Sequence, residues 1–529
     1  MLAKSTQANA FLAFTKPWDR SHHVSPQAPQ QRRYQGALLG GSRGTLRRLT
    51  SVADASPAAT VQEQDKKPVI WTQQWWPVQF EQNLETDRPN RIQLLGRWFV
   101  AWKGKSGDWI VMDDVCAHRL APLSEGRIED DGNLLCAYHA WRFDENGKCV
   151  AIPQADDDKA RIVACSSLRS RVQKYPCKAY GSLLWVWPDD APAAIIDAAA
   201  TPIPMPAYLA ESLEKRAEKN LPTGYTRVLP YGYDVLVENL FDPAHVVVAH
   251  HGLFGSSRYD ARALNARQDE PLDNPHKANT VLSFEYDSLS TGGWAHVEYT
   301  LPGFVEYRGG ASRDGERWIG QFLYTVPLAA GKSRAFTFGG SNALLKGGLG
   351  FLPLPMKLFP WLLCINFHNL FDGDSVFLRI QDIQLGKTNK KTGQSGWRNY
   401  YMPTSADIMT ASFRRWFETE GGGGPDMPKG QSESKTSADD QREMVLDRYS
   451  QHTKECKVCQ KGMAFMDRVV AVSQACMAMC CLGLFVGGPS SSSLWKWLMG
   501  GLAGVLLRTW AKKEKQKFHF VDYVHAEHD

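Results

Sequence analysis

Residues 116–141, CAHRLAPLSEGRIEDDGNLLCAYHAW, contain two short arms that each pair a cysteine with a histidine. The first arm is Cys116-x-His118 and the second is Cys136-x-x-His139. Thiolate and imidazole together are ligands of zinc, copper or iron–sulfur clusters. Structural zinc sites usually pair cysteine with cysteine on one arm, so mixed arms at both positions argue against a zinc ribbon.

Two mixed arms suit a cluster of two inequivalent iron ions, because each arm gives a cysteine to one iron and a histidine to the other. They predict a Rieske [2Fe–2S] centre with Cys116 and Cys136 on the inner iron and His118 and His139 on the outer iron. Neutral imidazole ligands reduce the negative charge at the cluster and raise its potential. The sequence RWFVAWKGKSGDWIVMDD before the first arm predicts a hairpin that presents both loops at one tip.

A second group of donors lies in ENLFDPAHVVVAHHG, residues 238–252. His245 and His250 are separated by slightly more than one helical turn, so both can face one ligand position. A carboxylate would complete the 2-His-1-carboxylate triad of non-haem Fe(II) oxygenases. Asp242 lies on the same face, where it can orient a ligand imidazole and bridge toward an incoming electron. His251 competes with His250, and helical spacing does not choose between them.

Charge and composition divide the chain into a basic leader and a nearly neutral body. The chain has 61 Lys and Arg against 56 Asp and Glu, but residues 1–53 hold eight of the basic residues and one acid, Asp19. Without this leader the chain is nearly neutral, so we expect no nucleic-acid partner. Residues 1–60 are rich in Ser, Thr, Ala, Gln and Arg and lack an apolar block, which predicts an organellar transit peptide. A disordered N-terminal tail is the alternative.

The remaining sequence predicts an α+β protein in which a β-rich domain precedes a mixed catalytic domain. A Gly-, Ser- and charge-rich linker separates these domains from the C-terminal segments. The predicted segments are a Rieske domain (68–190), a mononuclear iron domain (205–418), a linker (419–440), a Cys-x-x-Cys segment (441–465), a membrane hairpin (466–511) and a polar tail (512–529).

Two apolar runs near the C-terminus predict the membrane hairpin. VVAVSQACMAMCCLGLFVGG (469–488) is long enough to cross a bilayer, whereas LWKWLMGGLAGVLLRTW (494–510) is shorter and contains Lys496. A hairpin would keep both ends on one side of the membrane. A buried helical pair in a soluble domain is the alternative. The eleven cysteines of this large chain do not indicate a disulfide framework.

Four motifs carry a resemblance to a known family: HRLAPLSEGRI, CVAIPQA, PYGYDVLVENLFDPAHVVVAHHG, and CKVC ahead of a hydrophobic segment. Over about residues 70–490 the chain resembles the Rieske-type mononuclear iron oxygenases. It is most similar to the plant and algal branch that contains pheophorbide a oxygenase, the protochlorophyllide-dependent translocon component and the Rieske subunit of the inner-envelope translocon. Relatives often have Pro and Gly where this chain has Ala117 and Ala140.

The resemblance implies a helix-grip-like catalytic domain and a mononuclear Fe(II) bound by His245 and His250, with His251 as a neighbouring non-ligand. The third ligand would come from LFDGDSVFLRIQD, where the family spacing favours Asp374 over Asp372. The resemblance further implies that Asp242 bridges to the Rieske histidine of a neighbouring subunit in a ring-shaped trimer.

The implied activity is oxidation of a chlorophyll-type tetrapyrrole with O₂ and electrons from a ferredoxin-type donor. The reaction would open the pheophorbide a macrocycle or oxidise a methyl group of protochlorophyllide or chlorophyllide a. The implied location is a chloroplast membrane, the inner envelope or thylakoid, with the catalytic domains facing the stroma. A redox-sensing subunit of the import machinery is an alternative. A ring hydroxylase for small aromatics is disfavoured by the transit-like leader and the hairpin.

The pair Cys456 and Cys459 in CKVC resembles the redox-active cysteines of this branch. Close Cys-x-x-Cys thiols form disulfides readily, and the resemblance implies thioredoxin as a partner. A structural role for the pair is an equally open prediction.

Overall fold

The computed structural model describes residues 68–527, with gaps at 220–222, 254–255, 272–276, 289–292, 311–317, 342–357, 428–437 and 487–490. The predicted transit peptide lies outside the described residues. Residues 428–437 of the predicted linker also lie outside them.

The first domain contains three small antiparallel sheets within the described residues. Its elements are β1 (Trp76–Phe80), β2 (Asn90–Leu94), β3 (Arg97–Lys103), β4 (Trp109–Asp113), β5 (Arg127–Ile128), β6 (Leu134–Leu135), β7 (Arg142–Phe143), β8 (Cys149–Ala151), α1 (Asp158–Ser166), β9 (Lys174–Tyr175), β10 (Cys177–Tyr180) and β11 (Leu183–Val186). The strand orders are β1-β11-β10, β2-β3-β4-β9 and β5-β6-β7-β8.

Strand β3 lies between two hydrophobic cores. Phe99 and Ala101 face the larger core, and Val100 and Trp102 face a second core around the cysteine arms. Successive side chains of a strand point to opposite faces, so the continuous apolar sequence FVAW (99–102) buries both faces of β3. The strand thereby fixes the cysteine arms to the body of the domain.

The second domain is built on a seven-stranded antiparallel sheet, formed by described residues, with helices on it. Its elements are α2 (Ala194–Ala200), α3 (Ala207–Glu218), β12 (Tyr225–Leu229), α4 (Tyr233–Leu240), α5 (Val246–Ala249), β13 (Ala266–Gln268), β14 (Thr280–Asp287), β15 (Trp294–Thr300), β16 (Phe304–Gly310), β17 (Trp318–Ala329), β18 (Lys332–Ser341), α6 (Trp361–Thr392) and α7 (Asp407–Glu418). The strand order is β12-β18-β17-β16-β15-β14-β13.

Helix α7 packs on this sheet through an apolar face. Phe413 and Trp416 are buried against Tyr299 of β15, and Phe413 also stacks on Phe241 after α4. Burying one such aromatic side chain stabilises the fold by roughly 1.5–3 kcal/mol, and truncating Phe413 to alanine would cost about 3–5 kcal/mol. A sheet that holds a helix confirms the predicted α+β, helix-grip-like class.

In the described part of the chain three α-helices follow the second domain: α8 (Ala438–Val445), α9 (Lys457–Val486) and α10 (Ser491–Gln516). A π-helical turn, Tyr449–Thr453, precedes α9. Helices α9 and α10 pack antiparallel, because Lys515 near the end of α10 forms an ion pair with Asp467 near the start of α9, at 2.6 Å. Among the described residues α9 is the one helix long and apolar enough to cross a membrane.

The helices of the hairpin extend beyond the predicted bounds of 466 and 511. Helix α9 begins at Lys457 because its first turns bury Cys459 and Gly462 against the second domain. A Cβ at Gly462 would lie 2.8 Å from the Trp361 ring, so glycine permits this close approach. After α10 the predicted polar tail returns to α8, where Asp522 pairs with Arg442 at 2.7 Å.

Candidate iron centres

The two cysteine arms form the same backbone turn. The amide of Cys116 donates to the carbonyl of Ala121, and the amide of Cys136 donates to the carbonyl of Trp141, both at 2.8 Å. The arms follow β4 and β6 respectively, so the sheets hold the two turns side by side. Equivalent turns place equivalent donors at one tip, as the spacing predicts.

Each turn contains one residue with a left-handed backbone. Leu120 has φ 61° and Ala140 has φ 56°. A non-glycine residue in this region costs roughly 1–2 kcal/mol. Glycine would adopt this backbone at the position of Ala140 without that cost.

The cysteines lie inside the tip and the histidines at its edge. Cys116 and Cys136 are buried, and burial together with the neighbouring Cys136 thiol raises the pKa of Cys116 to about 11. The rings of His118 and His139 lie 4.6 Å apart, and Trp141 stacks on His118 at 4.7 Å. Two buried thiols beneath two outward imidazoles fit the inner and outer iron of a Rieske cluster.

The second donor group joins two segments of the catalytic domain. His245 and His250 flank the short helix α5, and Asp374 comes from α6. Asp374 Oδ1 lies 3.6 Å from His245 Nε2 and 3.3 Å from His250 Nε2. The three ligand atoms lie within 4.8 Å of one another, a separation that one metal ion can span.

Burial and hydrogen bonding prepare these donors for a cation. The Nδ1 of His245 donates to the backbone carbonyl of Asp242, which leaves Nε2 with its lone pair facing the group. Asp374 Oδ1 is buried and has no hydrogen-bond partner among the described residues. Burial raises the pKa of Asp374 to about 6 and lowers the pKa of His250 to about 4. A buried carboxylate oxygen between two imidazoles fits an iron ion.

The structure separates the two pairs of alternatives. His251 Nδ1 accepts a hydrogen bond from the Arg258 amide at 3.1 Å, away from Asp374. Asp372 is fully buried between Arg227 and Arg448, with a 2.6 Å ion pair to each. The geometry therefore brings His250 and Asp374 together, whereas His251 and Asp372 are bonded to other residues.

Asp242 lies beside the group but does not face its centre. Its Oδ2 is 3.8 Å from His245 Nδ1, and its Oδ1 accepts a hydrogen bond from the Ala244 amide at 3.0 Å. The carboxylate is 41% exposed. In the described part of the chain, no hydrogen bond, ion pair or ring contact joins the Rieske arms to Asp242 or to the three donors.

A cavity of about 820 Å³ opens beside His245 and Asp374. Roughly 300–1,000 Å³ is the usual volume of pockets that bury small organic ligands. The apolar part of its wall is formed by Val248, Ala249, Phe377, Leu378, Tyr401 and Met402. His525 of the C-terminal tail also lines the cavity and stacks on Phe377 at 4.2 Å. The tail therefore forms part of the wall.

Cys456 and Cys459 belong to a larger donor group that the sequence analysis did not identify. The structure brings them to Cys364 of α6 and to His452, and all four side chains are buried. All three cysteines are free thiols. His452 stands four residues before Cys456, a local signal that could have been read as part of a metal motif. Cys364 has no such signal, because it lies far away in the sequence.

Comparisons with known proteins agree with this architecture. The family model for the Rieske [2Fe-2S] domain matches residues 74–176. Pheophorbide a oxygenase of Oryza sativa subsp. japonica is 31% identical over 93% of this chain and 95% of its own length. Flavonoid 8-hydroxylase 2 of Ocimum basilicum is 28% identical over 78% of this chain and 77% of its own length. Both relatives are chloroplastic.

A solved structure of dicamba monooxygenase bound to dicamba has a TM-score of 0.50. It is 16% identical and covers 67% of this chain and 98% of its own. This likeness shows the fold of the Rieske and catalytic domains.

Together, the Rieske domain and the full-length relative show that this chain is an oxygenase that uses a [2Fe–2S] cluster and a mononuclear iron. The chain belongs to the Rieske-type oxygenase family that includes pheophorbide a oxygenase.

Proposed function

We propose that this protein oxidises a chlorophyll-type tetrapyrrole with O₂, either opening the pheophorbide a macrocycle or oxidising a methyl group of protochlorophyllide or chlorophyllide a. The observation that carries the proposal is the cavity of about 820 Å³, which is lined by His245 and Asp374 of the donor group and has a broad apolar wall. A large, flat, apolar ligand with a few polar groups suits such a cavity.

His245, His250 and Asp374 would hold the mononuclear iron. When bound, iron with this ligand set supplies O₂ activation at its open positions. The protein holds the donors in place, because the Asp242 carbonyl accepts the Nδ1 proton of His245 and fixes the orientation of that ring. The apolar wall excludes water from the reacting carbon of the substrate.

Arg258 would recognise an acidic group of the substrate. It lines the cavity, and it is exposed beside Tyr259, whose ring lies 5.1 Å from its guanidinium carbon. An arginine fork suits a carboxylate, and pheophorbide-type substrates carry one on a flexible arm. The macrocycle would then lie toward Phe377 and the donor group.

Asp242 would link two subunits. Its carboxylate is partly exposed while its carbonyl holds His245, so one face is accessible to a Rieske histidine of a second chain. His118 is exposed at the tip of the first domain, in keeping with such a contact. We propose a homotrimer in which each catalytic domain receives electrons from its neighbour, with a ferredoxin-type donor.

Helix α9 would anchor the enzyme to a chloroplast membrane, the inner envelope or the thylakoid, with the catalytic domains in the stroma. Its length, apolar sequence and exposure support this location. A thioredoxin contact at Cys456 and Cys459 stays a prediction, and the burial of both thiols weighs against it.

The test is to incubate reduced full-length enzyme, ferredoxin and ¹⁸O₂ with pheophorbide a, protochlorophyllide or chlorophyllide a. We expect one of the three to gain one or two labelled oxygen atoms by mass spectrometry. The methyl ester of the accepted substrate should bind more weakly, and Arg258→Gln should remove that difference.

A flavone belongs in the same panel, because a relative at 28% identity is named as a flavonoid hydroxylase. Labelled product from the flavone alone would contradict the tetrapyrrole assignment. Failure to turn over any substrate, with both iron centres present, would favour the redox-sensing alternative.

A further inference from the structure

We propose that Cys364, His452, Cys456 and Cys459 bind one structural Zn²⁺ ion, which fastens the membrane hairpin to the helix that carries Asp374. This role differs from a redox switch and does not depend on the substrate.

The four donors fit around a single ion. Their ligand atoms all lie within 4.8 Å of one another, and His452 Nε2 is 3.2 Å from Cys459 Sγ. In a tetrahedral zinc site with Zn–S bonds of about 2.3 Å, neighbouring sulfurs are separated by about 3.8 Å. Three cysteines and one histidine are a common ligand set of structural zinc.

His452 is oriented as a metal ligand. Its Nδ1 is held against the backbone carbonyl of Thr226, which can only accept a hydrogen bond. Nδ1 therefore carries a proton, and Nε2 is directed toward Cys459. A ligand histidine held by a carbonyl through its other nitrogen is the usual arrangement in metal sites.

The group is closed to solvent. Cys459 is fully buried, and Cys364, His452 and Cys456 have at most 6% of their surface exposed. None of the four lines the cavity beside His245. A complete set of four protein donors leaves no position for a substrate, so the site is structural rather than catalytic.

The surroundings balance the charge of the proposed site. A divalent ion with three thiolates and a neutral imidazole carries one net negative charge. The buried group of Arg227, Asp372 and Arg448 carries one net positive charge. The two groups meet at His368, whose carbonyl lies 3.4 Å from Arg227 Nη1 and whose ring lies 4.9 Å from the His452 ring. Buried charges of opposite sign stabilise one another.

The proposed ion joins α6 to a second segment that is distant in the sequence, residues 452–459 at the start of α9. Cys364 lies in the first turn of α6, His452 lies in the turn before α9, and Cys459 lies in the first turn of α9. Asp374 is farther along α6. Zinc would thus fix the start of the membrane helix to the helix that supplies an iron ligand.

The experiment uses the full-length protein purified in detergent from cells supplied with iron and zinc. Elemental analysis should give one zinc per chain in addition to iron. X-ray absorption at the zinc edge, which iron does not obscure, should show three sulfur ligands at about 2.3 Å and one nitrogen at about 2.0–2.1 Å.

Substitutions of the proposed donors test whether these residues bind the zinc. Cys456→Ser and His452→Ala should each lose most of the zinc, while the Rieske visible spectrum persists. The control variant Cys481→Ser, which replaces an exposed cysteine of α9, should retain one zinc. If a ligand variant fails to fold, the absorption spectrum of the unaltered protein still tests the proposal.

Any of four results would overturn the zinc site. One is a protein with a full Rieske signal and no zinc. The second is zinc without sulfur ligands, and the third is iron in the three-sulfur environment. The fourth is a Cys456–Cys459 disulfide in freshly isolated protein, detected by mass spectrometry.

Discussion

Helix α6 supplies a donor to each of two buried groups, and the two groups differ in their access to solvent. His245, His250 and Asp374 provide three donors at the edge of a cavity of about 820 Å³. Cys364, His452, Cys456 and Cys459 provide four donors, and none of them lines that cavity. Catalytic metal sites keep open positions, whereas structural sites are complete. The number of donors and the path to solvent therefore indicate which group performs chemistry.

The largest effect should follow loss of a donor from the group beside the cavity, which consists of His245, His250 and Asp374 and is called the open group. His250→Ala should reduce product formation by more than about 100-fold, because weakening even an outer partner of a metal ligand costs 10–100-fold. The Rieske spectrum and the zinc content should stay unchanged. His251→Ala should keep its mononuclear iron, since His251 binds the Arg258 amide instead. Loss of zinc in His250→Ala would refute the separation of the two groups.

Two aspartates of α6 should respond in opposite ways. Asp372→Asn leaves Arg227 and Arg448 without a buried counter-charge, so we expect a loss of about 3–5 kcal/mol in the free energy of unfolding. Asp374→Asn should lose iron without that loss of stability. Thermal unfolding and iron analysis measure the two effects.

A suitable control for Asp372→Asn is Glu211→Gln, which alters an exposed ion pair with Lys215 and should leave the melting temperature unchanged. If Asp372→Asn unfolds like the control, Asp372 does not bridge the arginines. The charge balance proposed for the closed group would then be wrong.

Replacing Asp242 tests whether the open group depends on the carboxylate that lies beside His245. Asp242→Asn should lower turnover about 10–100-fold with normal iron content, because the backbone carbonyl still holds His245. Rapid-mixing measurements should place the loss in electron transfer to the catalytic domain. Asp260→Asn, a surface change nearby, is the control. Iron loss in Asp242→Asn would assign the carboxylate to metal retention instead.

The two groups of donors should release their metal ions to a chelator at different rates. A mild chelator should remove the mononuclear iron at least about tenfold faster than zinc, a difference of about 1.4 kcal/mol in barrier. The cavity gives the chelator access to the iron, whereas the closed group must first open. Release of the two metals at equal rates would show that both groups are equally accessible.

Much of the candidate chemistry could be predicted from sequence because its donors stand in short segments. The arms around Cys116 and Cys136 have a local spacing that specifies the cluster type. The pair His245 and His250 likewise spans little more than one helical turn. The ends of the hairpin helices were less predictable, because α9 begins where its side chains meet the second domain rather than where the apolar run begins.

The sequence by itself determined the ligand types, the domain class and the apolar helix, since these follow from local spacing and composition. Only the tertiary structure decided that Asp374 faces the histidines while Asp372 binds two arginines, and that Cys364 and His452 join the CKVC pair. Those choices depend on which face of α6 meets which neighbour. A helix turns by about 100° per residue, so aspartates two positions apart point in nearly opposite directions.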